Sequence, residues 1–166
     1  MLFTIITVCF NSEKTIERTI QSVLNQTCQD YEYLIIDGAS TDGTMEIVRR
    51  HEPLFQGRMR WISEKDQGIY DAMNKGIGKA SGELIGIVNS DDYYEPDALA
   101  IMKNLYTGYQ YSILYGAVRA VKDGRETMVY IKNHEFIEQD MITHPSCFIS
   151  KKLYDTFGGY SLEYPY

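Results

Sequence analysis

Residues 2–37, "LFTIITVCFNSEKTIERTIQSVLNQTCQDYEYLIID", contain two runs rich in β-branched and aromatic residues on either side of a stretch with a different period. The runs "LFTIITVCF" (2–10) and "YEYLIID" (31–37) read as strands. Between them Ile16, Ile20, Val23 and Leu24 recur at i, i+4, i+7 and i+8, the spacing of one face of an amphipathic helix. Strand, helix and strand in this order predict a β-α-β unit, whose two strands run parallel.

The alternation continues outward. "STDGT" (40–44) makes a turn and helix start, "TMEIVRRH" (44–51) a short helix, "RMRWISE" (58–64) a third strand, "GIYDAMNKGIGKA" (68–80) a helix and "ELIGIVN" (83–89) a fourth strand. Residues 96–106 suit another helix, with Pro96 in its first turn. Beyond it, "SILYGAVRAV" (112–121), "KDGRE" (122–126) and "TMVYIK" (127–132) read as an antiparallel hairpin turning at Asp123-Gly124. The expected fold is α/β, three layers with a mostly parallel mixed sheet and an antiparallel hairpin in the second half. No repeat, low-complexity tract or linker divides residues 1–166, so one domain is expected. The closing "KKLYDTFGGYSLEYPY" (151–166) runs from helix to glycine pair to aromatic residues without a cap or polar tail, and reads as a chain cut short.

At 166 residues and 44% hydrophobic content the chain can bury a substantial core, and its formal charge of −7 repels nucleic acid. A bound nucleotide must therefore be held by local amides and a cation. Cys9, Cys28 and Cys147 are widely spaced and form no CxxC pair, which fits idle thiols in the cytoplasm better than a disulfide frame. There is no basic leader and no apolar run of spanning length, so the expectation is a soluble chain or one peripheral to a membrane.

In an open parallel sheet, ligands bind beyond the carboxyl ends of the strands. Polar groups follow all four predicted strands there: Asn11, Asp37, Glu64 with Asp66, and Asp91 with Asp92. Any one of them is an ordinary turn former or helix cap, but their agreement at one edge points to a site. Asp91 and Asp92 repel each other and have no Lys or Arg close by in sequence, so a divalent cation is the economical partner. Oxygen ligands favour Mg²⁺ or Mn²⁺, bridging to substrate phosphates. The competing structural role is an N-cap for the following helix, for which Glu95 is a comparable candidate.

Five segments in order carry a resemblance over essentially the whole chain: "ITVCFNSEKTIERTIQSVLNQT", "YLIIDGASTDGT", "EKDQGIYDAMNKGI", "GELIGIVNSDDYYEPDAL" and "HPSCFISKKLYDTFGGY". Together they resemble an inverting family-2 glycosyltransferase of the GT-A fold, of the bacterial surface-polysaccharide type. The resemblance implies a nucleotide-binding half over about 1–92 and an acceptor-side half over about 93–166 that is incomplete. It places Val8, Phe10 and Asn11 on the nucleotide side, with Phe10 against the base, and gives Asp37 a hydrogen bond to the base. A carboxylate accepts from a base N–H and an aromatic face stacks on any base; core packing at a strand end is the other role open to Phe10. Asp66, Gly68 and Asn74 fall in the family's nucleotide-side segment, where Met73 stands in place of a frequent arginine.

Asn89-Ser90-Asp91 corresponds to the Asp-x-Asp motif, its first position an amide that ligates a cation poorly, so Asp91 and Asp92 are expected to carry the metal and the chemistry. His144 lies on the acceptor side. The implied reaction is a single displacement at the anomeric carbon, with a general base taking the acceptor proton and the cation steadying the departing nucleoside diphosphate. The family's base is an acid after "GGY", expected past Tyr166; Glu163 lies nearby without being assigned that role. The implied donor is a nucleotide sugar, UDP-linked by preference. The implied acceptor is a saccharide or lipid-linked saccharide at the cytoplasmic face of the inner membrane. Two other readings stay open, a nucleotidyltransferase making sugar nucleotides and a nucleotide-sugar-binding domain without turnover. The first would want a glycine-rich basic loop where this chain has "NSEKT". "GIGKASG" (76–82) precedes a strand, which disfavours a dinucleotide fingerprint.

Overall fold

A computed structural model describes residues 1–122, 124–130, 134–136 and 142–163. The first β-α-β unit forms as its sequence predicts. Strand β1 (Phe3–Cys9) and strand β2 (Tyr31–Asp37) are buried along their whole lengths and pair in parallel from Phe3 opposite Tyr31 to Cys9 opposite Asp37. Continuous burial on both faces is why these runs are mostly apolar, and why their polar members Thr4, Thr7, Glu32 and Asp37 are buried too. Helix α1 (Ile16–Leu24) connects them, burying Ile16, Thr19, Ile20 and Val23.

Helix α2 (Thr44–His51) leads through a 3-10 turn to β3 (Met59–Ser63), which adds to the free edge of β2. Helix α3 (Ile69–Lys79) then returns the chain to the opposite side of β1, where β4 (Leu84–Ile87) pairs in parallel. The sheet order is β3-β2-β1-β4, extended by two later strands. The order in which strands are added reverses between β1 and β4, so the crevice beyond their carboxyl ends is the topological switch point where ligands are held in such sheets. Alternation along β1 divides the core. Phe3, Ile5 and Cys9 join the cluster containing Ile16, Ile20, Val23 and Leu99, and Ile6 and Val8 join Ala72, Met73 and Ile77 of α3.

The second half departs from expectation in three places. Helix α4 (Ala98–Leu105) begins two residues after Pro96, with Asp97 at its N-cap position. The run read as one hairpin strand splits at Gly116-Ala117. Strand β5 (Ile113–Tyr115) belongs to the main sheet, and only β6 (Val118–Lys122) pairs with β7 (Arg125–Tyr130), with a bulge between Ala120 and Val121. Asp123 of the expected turn, and Ile131 and Lys132 at the end of the expected second strand, lie outside the described residues. The sequence reading also lacked β8 (Cys147–Ser150), which lies antiparallel between β4 and β5 and leads into α5 (Lys151–Phe157). Among the described residues no helix is long and apolar enough to cross a membrane.

At the amino ends of the strands, buried Glu32 ties three segments together. Its Oε1 accepts from Thr4 Oγ1, Ser81 N–H and Ser81 Oγ, each at 2.7 Å, and its Oε2 from Arg60 at 2.6 Å. Burial pushes the carboxyl up, but the bonds from Ser81, Thr4 and Arg60 outweigh it and hold Glu32 below its ordinary value of 4.5. A lowered folded value means stability present in full above 4.5 and lost as pH falls through the folded value. Glu32→Gln should therefore cost about 1–3 kcal/mol at neutral pH and flatten the acid limb of a melting-temperature profile. An unchanged acid limb would remove Glu32 from that role.

Candidate functional site

The loops after β1 and β4 and the start of α3 enclose a cleft of about 770 Å³ at the switch point. Val8, Phe10, Asn11, Asp66, Gly68, Asn89 and Asp91, all expected from sequence to serve a donor site, line it together. Phe10 is 61% exposed although it directly follows a fully buried strand. Core packing is therefore not its role, and its ring is available for stacking.

Beside Phe10 the loops after β1 and β2 lock together. Asn11 (φ 48°) and Ala39 (φ 64°) take left-handed conformations unusual for residues other than glycine. The surroundings hold them there: Asn11 N–H donates to Ser40 Oγ at 2.8 Å, and Thr41 N–H donates to Asn11 Oδ1 at 2.9 Å. A Cβ on Gly38 would lie 2.7 Å from Asp66 Oδ2 and 3.4 Å from the Phe10 ring, so glycine is what lets Asp66 and Phe10 close over this loop. Asp66 Oδ1 also accepts from Gly68 N–H at 2.9 Å.

Asp37 lies beneath this arrangement, 1% exposed. Its Oδ1 accepts from Ser40 Oγ and, at 3.6 Å, from the Cys9 thiol. Its Oδ2 accepts from Ser40 N–H at 3.0 Å and Ser63 Oγ at 2.6 Å. Four donors fill the accepting positions of one carboxylate.

The acidic loop after β4 is held from behind by α1. Thr19 Oγ1 donates to Asp92 O at 2.6 Å, and the Ser12 and Ser90 hydroxyls meet at 2.9 Å across the switch point. Gln26, 1% exposed, donates to Glu95 O at 2.7 Å and accepts from Leu99 N–H at 3.0 Å, fixing the approach to α4. That helix starts seven residues after Asp91, so neither aspartate caps it. Sequence reading missed Thr19 and Gln26. The available signal was Thr19, a polar residue on the buried face between Ile16, Ile20 and Val23.

Asp91 and Asp92 face different spaces. Asp91 lines the switch-point cleft, while Asp92 borders a second cavity of about 570 Å³ with apolar walls that include Ile101, Met102, Val118, Val129 and Phe148. Burial, with the Asp91 charge added, pushes the Asp92 carboxyl above its ordinary range. Among the described residues neither aspartate has a basic partner, and the buried Asn89 Oδ1 accepts no hydrogen bond. The cleft's acidic lining is Glu13, Asp42, Asp66 and Asp91, against Lys14 alone. Met73, at the position of the frequent arginine, is 2% exposed in the core. On the cleft side the Asp91 carboxylate, without a counter-charge, could ligate a hard divalent cation, with the partnerless Asn89 Oδ1 beside it and the Asp92 charge on the other side of the loop. Among the described residues no group of three or more His, Cys, Asp or Glu stands close enough together to hold a metal ion.

Four further residues lie away from the lining of the switch-point cleft. Asn74 is engaged by Tyr160, and exposed Glu64 pairs with Lys75 at 3.1 Å. His144 opens the turn that carries Pro145 and Ser146 to the second cavity; burial lowers its pKa, and its Nε2 has no partner among the described residues. Glu163 is exposed, and the base expected past Tyr166 falls outside the described residues.

Residues 4–162 match the family described as Glycosyl transferase family 2. A "PGL/p-HBAD biosynthesis glycosyltransferase" of Mycobacterium bovis is 30% identical over 165 residues, covering 98% of this chain and 64% of its own length. Among solved structures, residues 1–349 of S. aureus TarS in complex with UDP superpose with a TM-score of 0.77 at 22% identity, over 95% of this chain and 49% of that one. The mannosyltransferase PcManGT from Pyrobaculum calidifontis, in complex with GDP-Man and Mn²⁺, superposes with a TM-score of 0.70 at 23% identity, over 96% and 47%. The chain thus spans less than two thirds of the length of each of these proteins, and the two structures bear on the fold, which is of the GT-A type.

Proposed function

We propose, from the premise that the chain belongs to glycosyl transferase family 2, that it transfers a sugar with inversion from a nucleotide-sugar donor to a hydroxyl acceptor, assisted by Mn²⁺ or Mg²⁺. The observation that carries this reading is the switch-point cleft, with exposed Phe10 on the β1 loop and unpaired Asp91 on the β4 loop. The nucleotides in the TarS and PcManGT complexes share a diphosphate, which supports that donor chemistry.

In this reading Phe10 stacks on the base, and Asp37 serves the base side by holding the 38–42 loop, its own oxygens being filled. Asp91, with Asn89 beside it, would hold the cation on the cleft side, and Asp92 would add its charge from across the loop. When bound, that cation neutralises charge on the departing diphosphate. The Asp91-Asp92 step divides the donor cleft from the second cavity, where the acceptor hydroxyl would sit. The apolar walls there suit an acceptor whose saccharide is joined to a lipid.

Phe10→Ala tests the base side. Because the ring is mostly exposed, folding stability should hold, while UDP or GDP affinity falls by about 1–3 kcal/mol, the worth of one stacked base. Titration with both nucleotides in Mn²⁺ measures it; an unchanged affinity would place the base elsewhere.

A further inference from the structure

We infer that Asn74 is a positioning residue: it clamps the Gly158-Gly159-Tyr160 segment onto α3 and does not contact the nucleotide. Both ends of its side-chain amide are occupied by one backbone unit. Asn74 Nδ2 donates to Tyr160 O at 2.8 Å, and Tyr160 N–H donates to Asn74 Oδ1 at 2.8 Å. This matched pair spans 86 residues of sequence, and an amide is the side chain that both donates and accepts at one end. A Cβ on Gly159 would overlap Asn74 Oδ1 and lie 3.0 Å from its Cγ, so the segment approaches this closely because residue 159 is glycine.

Two ring contacts reinforce the clamp. Tyr70, one turn earlier on α3, stacks on Tyr160 with centroids 5.3 Å apart and planes 6° from parallel, and Tyr154 packs on the same cluster as Tyr160. Tyr70 and Tyr160 pack on the cluster that includes Val8 and Ala72, which also line the donor cleft. The clamp therefore sets where the chain after Gly158 stands relative to that cleft. Its effect belongs to the geometry of transfer and leaves donor affinity alone.

The test uses the 166-residue chain with three variants. Asn74→Leu keeps the volume and removes both bonds, Asn74→Asp keeps the acceptor and loses the donor, and Gly159→Ala opens the clamp from an exposed position where folding is not at stake. In Asn74→Leu and Gly159→Ala, hydrogen exchange at the Tyr160 amide should accelerate about thirtyfold, as for loss of two neutral hydrogen bonds. Asn74→Asp should fall between these and the unaltered chain. Affinity for UDP and GDP in Mn²⁺ should stay within about twofold, the additivity error expected for a site outside the contact.

In the protein as the cell makes it, release of nucleoside diphosphate from UDP-GlcNAc or GDP-mannose, with water in place of the acceptor, separates positioning from a purely structural role. There kcat should drop about tenfold with the donor KM unchanged, and Asn74→Asp should recover part of it. A tenfold loss of nucleotide affinity, with or without faster exchange, overturns the inference, as does unchanged exchange or unchanged kcat. The turnover arm rests on the proposed sugar transfer. The exchange arm does not, so a chain that binds neither nucleotide defeats the proposed function while the clamp is still decided by exchange.

Discussion

Replacing Asp91 by alanine is expected to lower the affinity for UDP or GDP in Mn²⁺ by at least about 10²-fold, since loss of a mere second-sphere partner of a metal costs 10–100-fold. Asp91 borders the donor cleft and has no basic partner among the described residues, so no internal ion pair offsets the loss. Folding stability should hold or rise, because the change removes a like charge next to half-buried Asp92. Asp91→Asn should show most of the same loss, an amide being a weaker ligand than a carboxylate. Calorimetric titration of each variant, alongside its thermal melt, separates ligand loss from unfolding. Nucleotide affinity that survives in Asp91→Ala would leave the residue without a role in holding the cation.

Asp37→Ala is expected to fail in a different way. Removing the carboxylate strands the half-buried Ser40 N–H and hydroxyl and leaves the exposed Ser63 hydroxyl to water, so the fold should lose about 1–3 kcal/mol. Ser40 also accepts from Asn11 N–H, so the loss spreads to the loop beside Phe10, and nucleotide binding should weaken with it. Asp37→Asn should retain part of both. A variant that melts normally yet loses nucleotide would instead favour direct contact between Asp37 and the base.

The first half of the fold was legible because β1 and β2 are buried on both faces, which leaves runs dominated by β-branched and aromatic residues, and α1 buries one face at helical spacing. The second half was less legible for local reasons. Gly116 breaks one apolar run between two sheets, and β8 has four residues, too few for a period to show. The edge holding the site could be read from the order of elements, since Asn11, Asp66 and Asp91 each follow a strand. What could not be read was the direction of hydrogen bonds. Asp37 and Asn74 stand where the resemblance puts nucleotide contacts, yet their polar atoms are filled by Ser40, Ser63 and Tyr160. Thr19 and Gln26 hold the acidic loop from a helix face that reads as core.

The most direct test of a cation-assisted nucleotide site in the cleft between β1 and β4 is a thermal melt of the 166-residue chain with UDP or GDP, in Mn²⁺ and again in excess chelator. At a hundred times the dissociation constant, a bound nucleotide should add about 2.7 kcal/mol, which raises the midpoint of a domain of this size by roughly 5–10 °C. The account predicts that shift in Mn²⁺ and little or none in chelator, because the diphosphate otherwise meets Asp91 and the other carboxylates of the cleft unscreened. An equal shift in both conditions, or none in either, would contradict it.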